Sequence, residues 1–122
     1  MKITLIQCPS WITESPPYNI AIIAAALKNR RHNPICLDFN IELYNYCKDN
    51  AEANNWLDNE RGACWYDRGY VLSLIKRFQP YIDEFVCMVL DIGSPIVGFT
   101  IYGISQIFSD EFAKRIKEKD HN

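Results

Sequence analysis

Glycine is scarce in this chain, with five in 122 residues, and the loop that follows the first strand-like run contains none. The phosphate-cradling patterns G-x-G-x-x-G and G-x-x-x-x-G-K-[ST] are both missing, and with them the close backbone approach to a pyrophosphate that glycine permits. A classical dinucleotide site is therefore disfavoured. No apolar run reaches the ~18–20 residues that span a bilayer, and Met1-Lys2 leads straight into a short strand rather than a signal-peptide core. We expect a cytoplasmic protein with no membrane partner. Excess positive charge is missing too: 13 Lys and Arg against 15 Asp and Glu leave a formal net charge of −2, which gives a nucleic-acid backbone no attraction. Histidine is confined to His32, at a helix end, and His121, at the C-terminus, where capping or solvent roles are expected over metal ligation or acid–base work. The five cysteines form neither C-x-x-C nor C-x-x-x-C-x-x-C, so neither a zinc ribbon nor a radical-chemistry iron–sulfur cluster can be assembled from them. Odd in number and set mostly in apolar runs, they read as small buried hydrophobes in a reducing compartment.

What is present is an ordinary soluble composition, 48% hydrophobic and 23% charged, at the length of one domain over residues 1–122. Ile3, Leu5 and Ile6 form a strand without clean alternation, as expected where both faces are buried. Ser15-Pro16-Pro17 reads as an N-cap with proline in the first turn of a helix whose face is Ile20, Ile23, Ala24 and Leu27. Lys28 to Arg31 put positive charge at its carboxyl end. After the break at His32-Asn33-Pro34, Ile35, Cys36 and Leu37 make a second strand running into Asp38-Phe39-Asn40. A short helix follows, then a polar and aromatic insertion over 49–69, with Asn54, Asn55, Asp58 and Asn59, whose Trp56, Trp65 and Tyr66 are expected to fold back as a satellite cluster. Helical spacing returns from Val71 to Phe78 and from Ile82 to Leu90, as two helices or one kinked at Pro80. Ile96 to Tyr102 is the third strand, and Ser105 caps a last helix with Phe108, Phe112 and Ile116 on its face.

The expected fold is α/β: a Rossmann-like open parallel sheet of three strands in the order 2-1-3, with helices on both faces. Its ligand crevice lies at the carboxyl ends of the strands, on the loops Pro9–Ser15, Asp38–Asn40 and Thr100–Ser105. Thr13, Ser15, Asn40, Thr100, Tyr102 and Ser105 offer hydrogen bonds there, while Gly98 and Gly103 let a ligand or a neighbouring backbone come close. Ser15 and Ser105 as caps, and the glycines as packing and turn positions, are the competing structural roles. A phosphorylation receiver would need acidic residues where Gln7, Cys8 and Pro9 stand.

Pro16-Pro17 followed by Ile20 to Leu27, the strand end Leu37-Asp38-Phe39-Asn40 with Leu43-Tyr44, and Pro95 to Tyr102 together resemble the N-terminal cobalamin-binding-type domain of radical S-adenosylmethionine enzymes. The resemblance implies cobalamin held between the carboxyl-end loops and a following radical enzyme barrel. Its cofactor-binding residues would be Ser10, Thr13, Ser15, Asp38, Asn40, Thr100, Tyr102, Gly103 and Ser105, with no catalytic residue and no metal ligand. The D-x-H-x-x-G motif of mutase-type domains is not present, which is common in the radical family. S-adenosylmethionine and the iron–sulfur cluster belong to the barrel, expected downstream with a fourth strand. The chain is thus expected to be a truncated domain that binds cobalamin weakly or not at all. A non-catalytic assembly module that self-associates through the third-strand edge is the alternative. An independent enzyme would have to rely on Glu14 or Asp38, neither paired with a histidine.

Overall fold

A computed structural model describes residues 1–47, 56 and 60–120. The apolar run at the N-terminus becomes β1 (Lys2–Gln7), buried from Ile3 onward, and it takes the centre of the sheet. β2 (Asn33–Asp38) and β3 (Ile96–Thr100) pair with it on either side, both parallel, giving the order β2-β1-β3. Burial on both faces explains the unalternating sequence.

The two faces are covered unequally. Ile3 and Leu5 pack against Ile20 and Ala24 of α1 (Tyr18–Asn29), with Leu27 at the margin. Ile6 and Cys8 point the other way, into one large cluster formed with α2 (Phe39–Cys47), α3 (Arg68–Arg77), α4 (Gln79–Ile92) and α5 (Gln106–Lys119). Phe39 is a hub of that cluster, stacked on Phe85 at 4.5 Å and edge-on to Phe112 at 5.4 Å between ring centroids. α1 is apolar nearly all round, yet Ile22 remains 69% exposed and Ile23 41%. The face predicted to include Ile23 is thus narrower in the folded chain.

Several boundaries differ from those read in the sequence. α1 begins at Tyr18 with Pro17 as its N-cap residue and no side-chain cap, and Ser15 is exposed. Ser15 and Pro16 each precede a proline, which drives both away from helical backbone, so the helix can start only after the second proline. The helical stretch around Pro80 is two helices, with Phe78 between them and Pro80 in the first turn of α4, where its missing N–H costs no hydrogen bond. α4 ends at Gly93, in the left-handed region at φ 67°, whose N–H donates to the Leu90 carbonyl at 3.0 Å. β3 stops at Thr100 rather than Tyr102.

Trp56 and Trp65 are fully buried members of the main cluster rather than a satellite. Their rings meet edge-on at 5.0 Å, while Tyr66 stays 61% exposed. A 3₁₀ run over Glu60–Tyr66 carries Trp65 inward. The rest of the 49–69 insertion before residue 60, including Asn54, Asn55, Asp58 and Asn59, lies outside the described residues, as does His121. All five cysteines are free thiols; Cys8 and Cys47 are buried as expected, but Cys36 and Cys87 are exposed.

Candidate functional site at the carboxyl rim of the sheet

The parallel register sets Asp38, Gln7 and Thr100 side by side at the carboxyl ends of the three strands. Gln7 is fully buried at the centre of this row. Its Oε1 accepts from Thr100 Oγ1 at 2.8 Å and from Asn19 Nδ2 at 3.3 Å, and its Nε2 donates to the Cys8 carbonyl at 3.0 Å. One amide thereby ties β1, β3 and α1 together. Gln7 and Asn19 were not among the residues expected here; a lone polar side chain at the end of an apolar strand was the only signal in the sequence.

Asp38 ends β2 and caps α2, its Oδ1 accepting from the Ile41 N–H at 3.1 Å. Burial pushes its carboxyl above the ordinary aspartate range, outweighing the lowering by the Ile41 and Asn40 backbone groups. Asn40, one residue into α2, is 2% exposed and spends its whole amide on neighbours. Its Oδ1 accepts from the Trp11 N–H at 2.9 Å and from the Trp56 indole N–H at 2.8 Å. Its Nδ2 donates to the carbonyls of Trp11 at 3.1 Å and Ile12 at 3.4 Å. The loop after β1 is thus fastened to the start of α2.

A second fastening joins that loop to the end of β3. The rings of Trp11 and Tyr102 stack with centroids 4.0 Å apart and planes 7° from parallel. Ser105 holds the Tyr102 turn, its Oγ accepting from the Tyr102 N–H at 3.1 Å and lying 3.2 Å from the Tyr102 carbonyl. Ser105 is the residue before α5, as expected, but its hydroxyl turns back to the loop instead of capping the helix. At Gly103 the space left by the missing side chain is taken by Tyr66, whose ring would lie 3.5 Å from an added Cβ.

Of the residues predicted for this rim, Asp38, Asn40, Thr100, Tyr102, Gly103 and Ser105 are brought together. Ser10 is buried and Thr13 half-buried in the same loop as Trp11, each already engaged with a neighbour. Ser15 and Glu14 are exposed and take no part in the hydrogen bonds described. His32 precedes β2 and therefore sits at the opposite end of the sheet. Among the described residues, no group of three or more His, Cys, Asp or Glu side chains could hold a metal ion, and no helix is long and apolar enough to cross a membrane. The polar groups of this rim close largely on one another, and Asp38 engages its Oδ1 with the Ile41 N–H.

Comparison with known protein families, curated proteins and solved structures finds no match to this chain.

Proposed function

We propose that the chain is a cobalamin-binding-type domain that serves a radical S-adenosylmethionine enzyme and catalyses nothing by itself. The observation that supports this reading is the open parallel sheet in the order β2-β1-β3, whose carboxyl ends carry Asp38, Gln7 and Thr100 side by side. In a parallel sheet of this order the direction in which strands are added reverses between β1 and β3, and the crevice there is where such folds bind ligands. S-adenosylmethionine and the iron–sulfur cluster belong, in this reading, to the partner barrel.

The rim as it stands does not fit cobalamin. Asn40, Gln7 and Ser105 are committed to internal hydrogen bonds, and the aromatic stack occupies the crevice that a corrin plane would need. Weak binding follows, because a bulky ligand would first have to separate two rings worth about 0.5–1.5 kcal/mol beyond their burial. A second reading, a Rossmann-like interaction module without a cofactor, is favoured by the same internally satisfied rim.

Absorbance titration with hydroxocobalamin separates the two readings. We expect at most a weak spectral change with the unaltered chain up to about 100 µM, and about two- to tenfold tighter binding by Trp11→Ala, which removes the stack. Tight stoichiometric binding by the unaltered chain would refute the closed rim. No binding by either protein, with circular dichroism showing both folded, would discard cobalamin and leave the interaction module.

A further inference from the structure

The sheet has two edges, and they are built differently. On the β2 edge Pro34 removes a backbone donor, and the strand is bounded by Asn33 and Asp38, which are devices that discourage further pairing. Among the described residues β3 is paired only with β1, and its run Ile96-Val97-Gly98-Phe99-Thr100 has neither charge nor proline. Ile96 is 47% exposed, and Val97 and Phe99 are only partly buried.

Alongside that edge runs a groove. Two adjoining hollows of about 310 and 280 Å³ share Ser94, Pro95, Val97, Ile116 and Asp120, and the second adds Phe99, Ala113 and Lys117. It therefore lies between β3 and α5. Asp110, Ala113 and Lys117 fall on one stripe of α5, three and four residues apart. Asp110 and Lys117 are exposed, and neither belongs to the ion pairs Arg68–Glu111, Arg115–Glu111 and Lys119–Asp83.

Resting on the interaction-module reading, we propose that the β3 edge pairs antiparallel with the same edge of a second copy, about a two-fold axis at Gly98. The three strands of each copy then join into one continuous sheet. Val97 stands opposite Phe99 of the other copy, and Ile96 opposite its Thr100, so both sides of the strand pair carry matching side chains. The same axis lays the two α5 helices antiparallel beside Ala113, whose small side chain permits close approach. Asp110 of each copy then meets Lys117 of the other, because Ala113 lies midway between them. Ala113 lines the groove together with Val97 and Phe99, the two residues that flank Gly98, so the axis that pairs the strands passes beside the helix as well. The patch is its own complement in shape and charge, as a two-fold interface requires.

Sedimentation equilibrium of the full chain between about 1 and 200 µM tests this. A reversible dimer is expected. Asp110→Lys or Lys117→Asp alone places like charges at both crossings and should weaken association by roughly tenfold, and the double exchange should restore it. Both positions are exposed, and circular dichroism verifies that the variants keep the fold. A monomer throughout the range, or a dimer indifferent to the single exchanges, would overturn the proposal. So would single-exchange defects that the double exchange leaves unrepaired. A monomer that takes up an added strand-forming peptide along β3 would assign the groove to another chain.

Discussion

Asn40→Ala is the substitution whose cost can be worked most directly from the structure. It deletes the acceptor of the Trp56 indole N–H, 2.8 Å away and fully buried, and the partners of the Trp11 N–H and carbonyl. A buried donor stripped of its acceptor costs about 1–3 kcal/mol. The two Trp11 groups lie in a half-buried loop and can recover water, adding about 0.5 kcal/mol each. Alanine's better helix propensity at this position in α2 returns about 0.5 kcal/mol. The net loss is about 2.5 kcal/mol, a large share of the ~5–15 kcal/mol that holds a domain folded. For 122 residues, with unfolding entropy near 2.1 cal/mol/K per residue, this lowers Tm by about 10 °C. Urea denaturation followed by tryptophan fluorescence should show an earlier midpoint with an unchanged slope. A double-mutant cycle with Trp56→Phe, which removes the donor itself, should return a coupling of at least about 1 kcal/mol. A loss below about 1 kcal/mol for Asn40→Ala, or no coupling, would refute the view that this amide fastens the rim.

Two further outcomes follow from burial. Because desolvation raises Asp38 above its ordinary 3.8, the folded chain keeps this proton after the unfolded chain has released it; the stability it contributes is complete below that pH and is lost as pH rises through the folded value. Asp38→Asn keeps an oxygen for the Ile41 N–H and removes that loss, so its stability relative to the unaltered chain should climb from about pH 4 and then level off; a difference flat in pH would contradict the assignment. The Cys8 thiol is pushed up to about 12 by burial, so a disulfide reagent applied to the native chain near pH 8 should label exposed Cys36 and Cys87 and spare Cys8, with mass spectrometry locating the adducts. Labelling of Cys8 at the same rate would show that its surroundings open readily.

Local pattern carried the strands and most helices, because burial imposes periodicity on neighbouring residues: Ile82, Phe85, Val86 and Val89 announce α4 by spacing alone. The order 2-1-3 came from the Rossmann-like fold expected of alternating strands and helices. The start of α1 was misread where two rules collide, since Ser15-Pro16 looks like a cap and its proline until the second proline forbids helical backbone before it. Trp56 and Trp65 were misplaced because a polar stretch conceals residues that reach the core from a distance. The rim was legible as a set of loops, and Asn40, Thr100 and Tyr102 lie on it in the structure. Its connections were not, since Asn40 finds Trp11 and Trp56 across 29 and 16 positions, and nothing near any of the three residues marks such a partnership.

The unequal cover of the two sheet faces also divides the molecule energetically. Among the described residues, α1 rests on a cluster of four buried residues, two of them its own, while the helices opposite pack into a cluster of nineteen. Detaching α1 therefore exposes far less apolar surface than separating any of the others, so its amides should exchange with solvent through a local opening well below the free energy of global unfolding. That opening breaks the Asn19–Gln7 hydrogen bond on its way, which links α1 to the buried amide at the centre of the carboxyl rim.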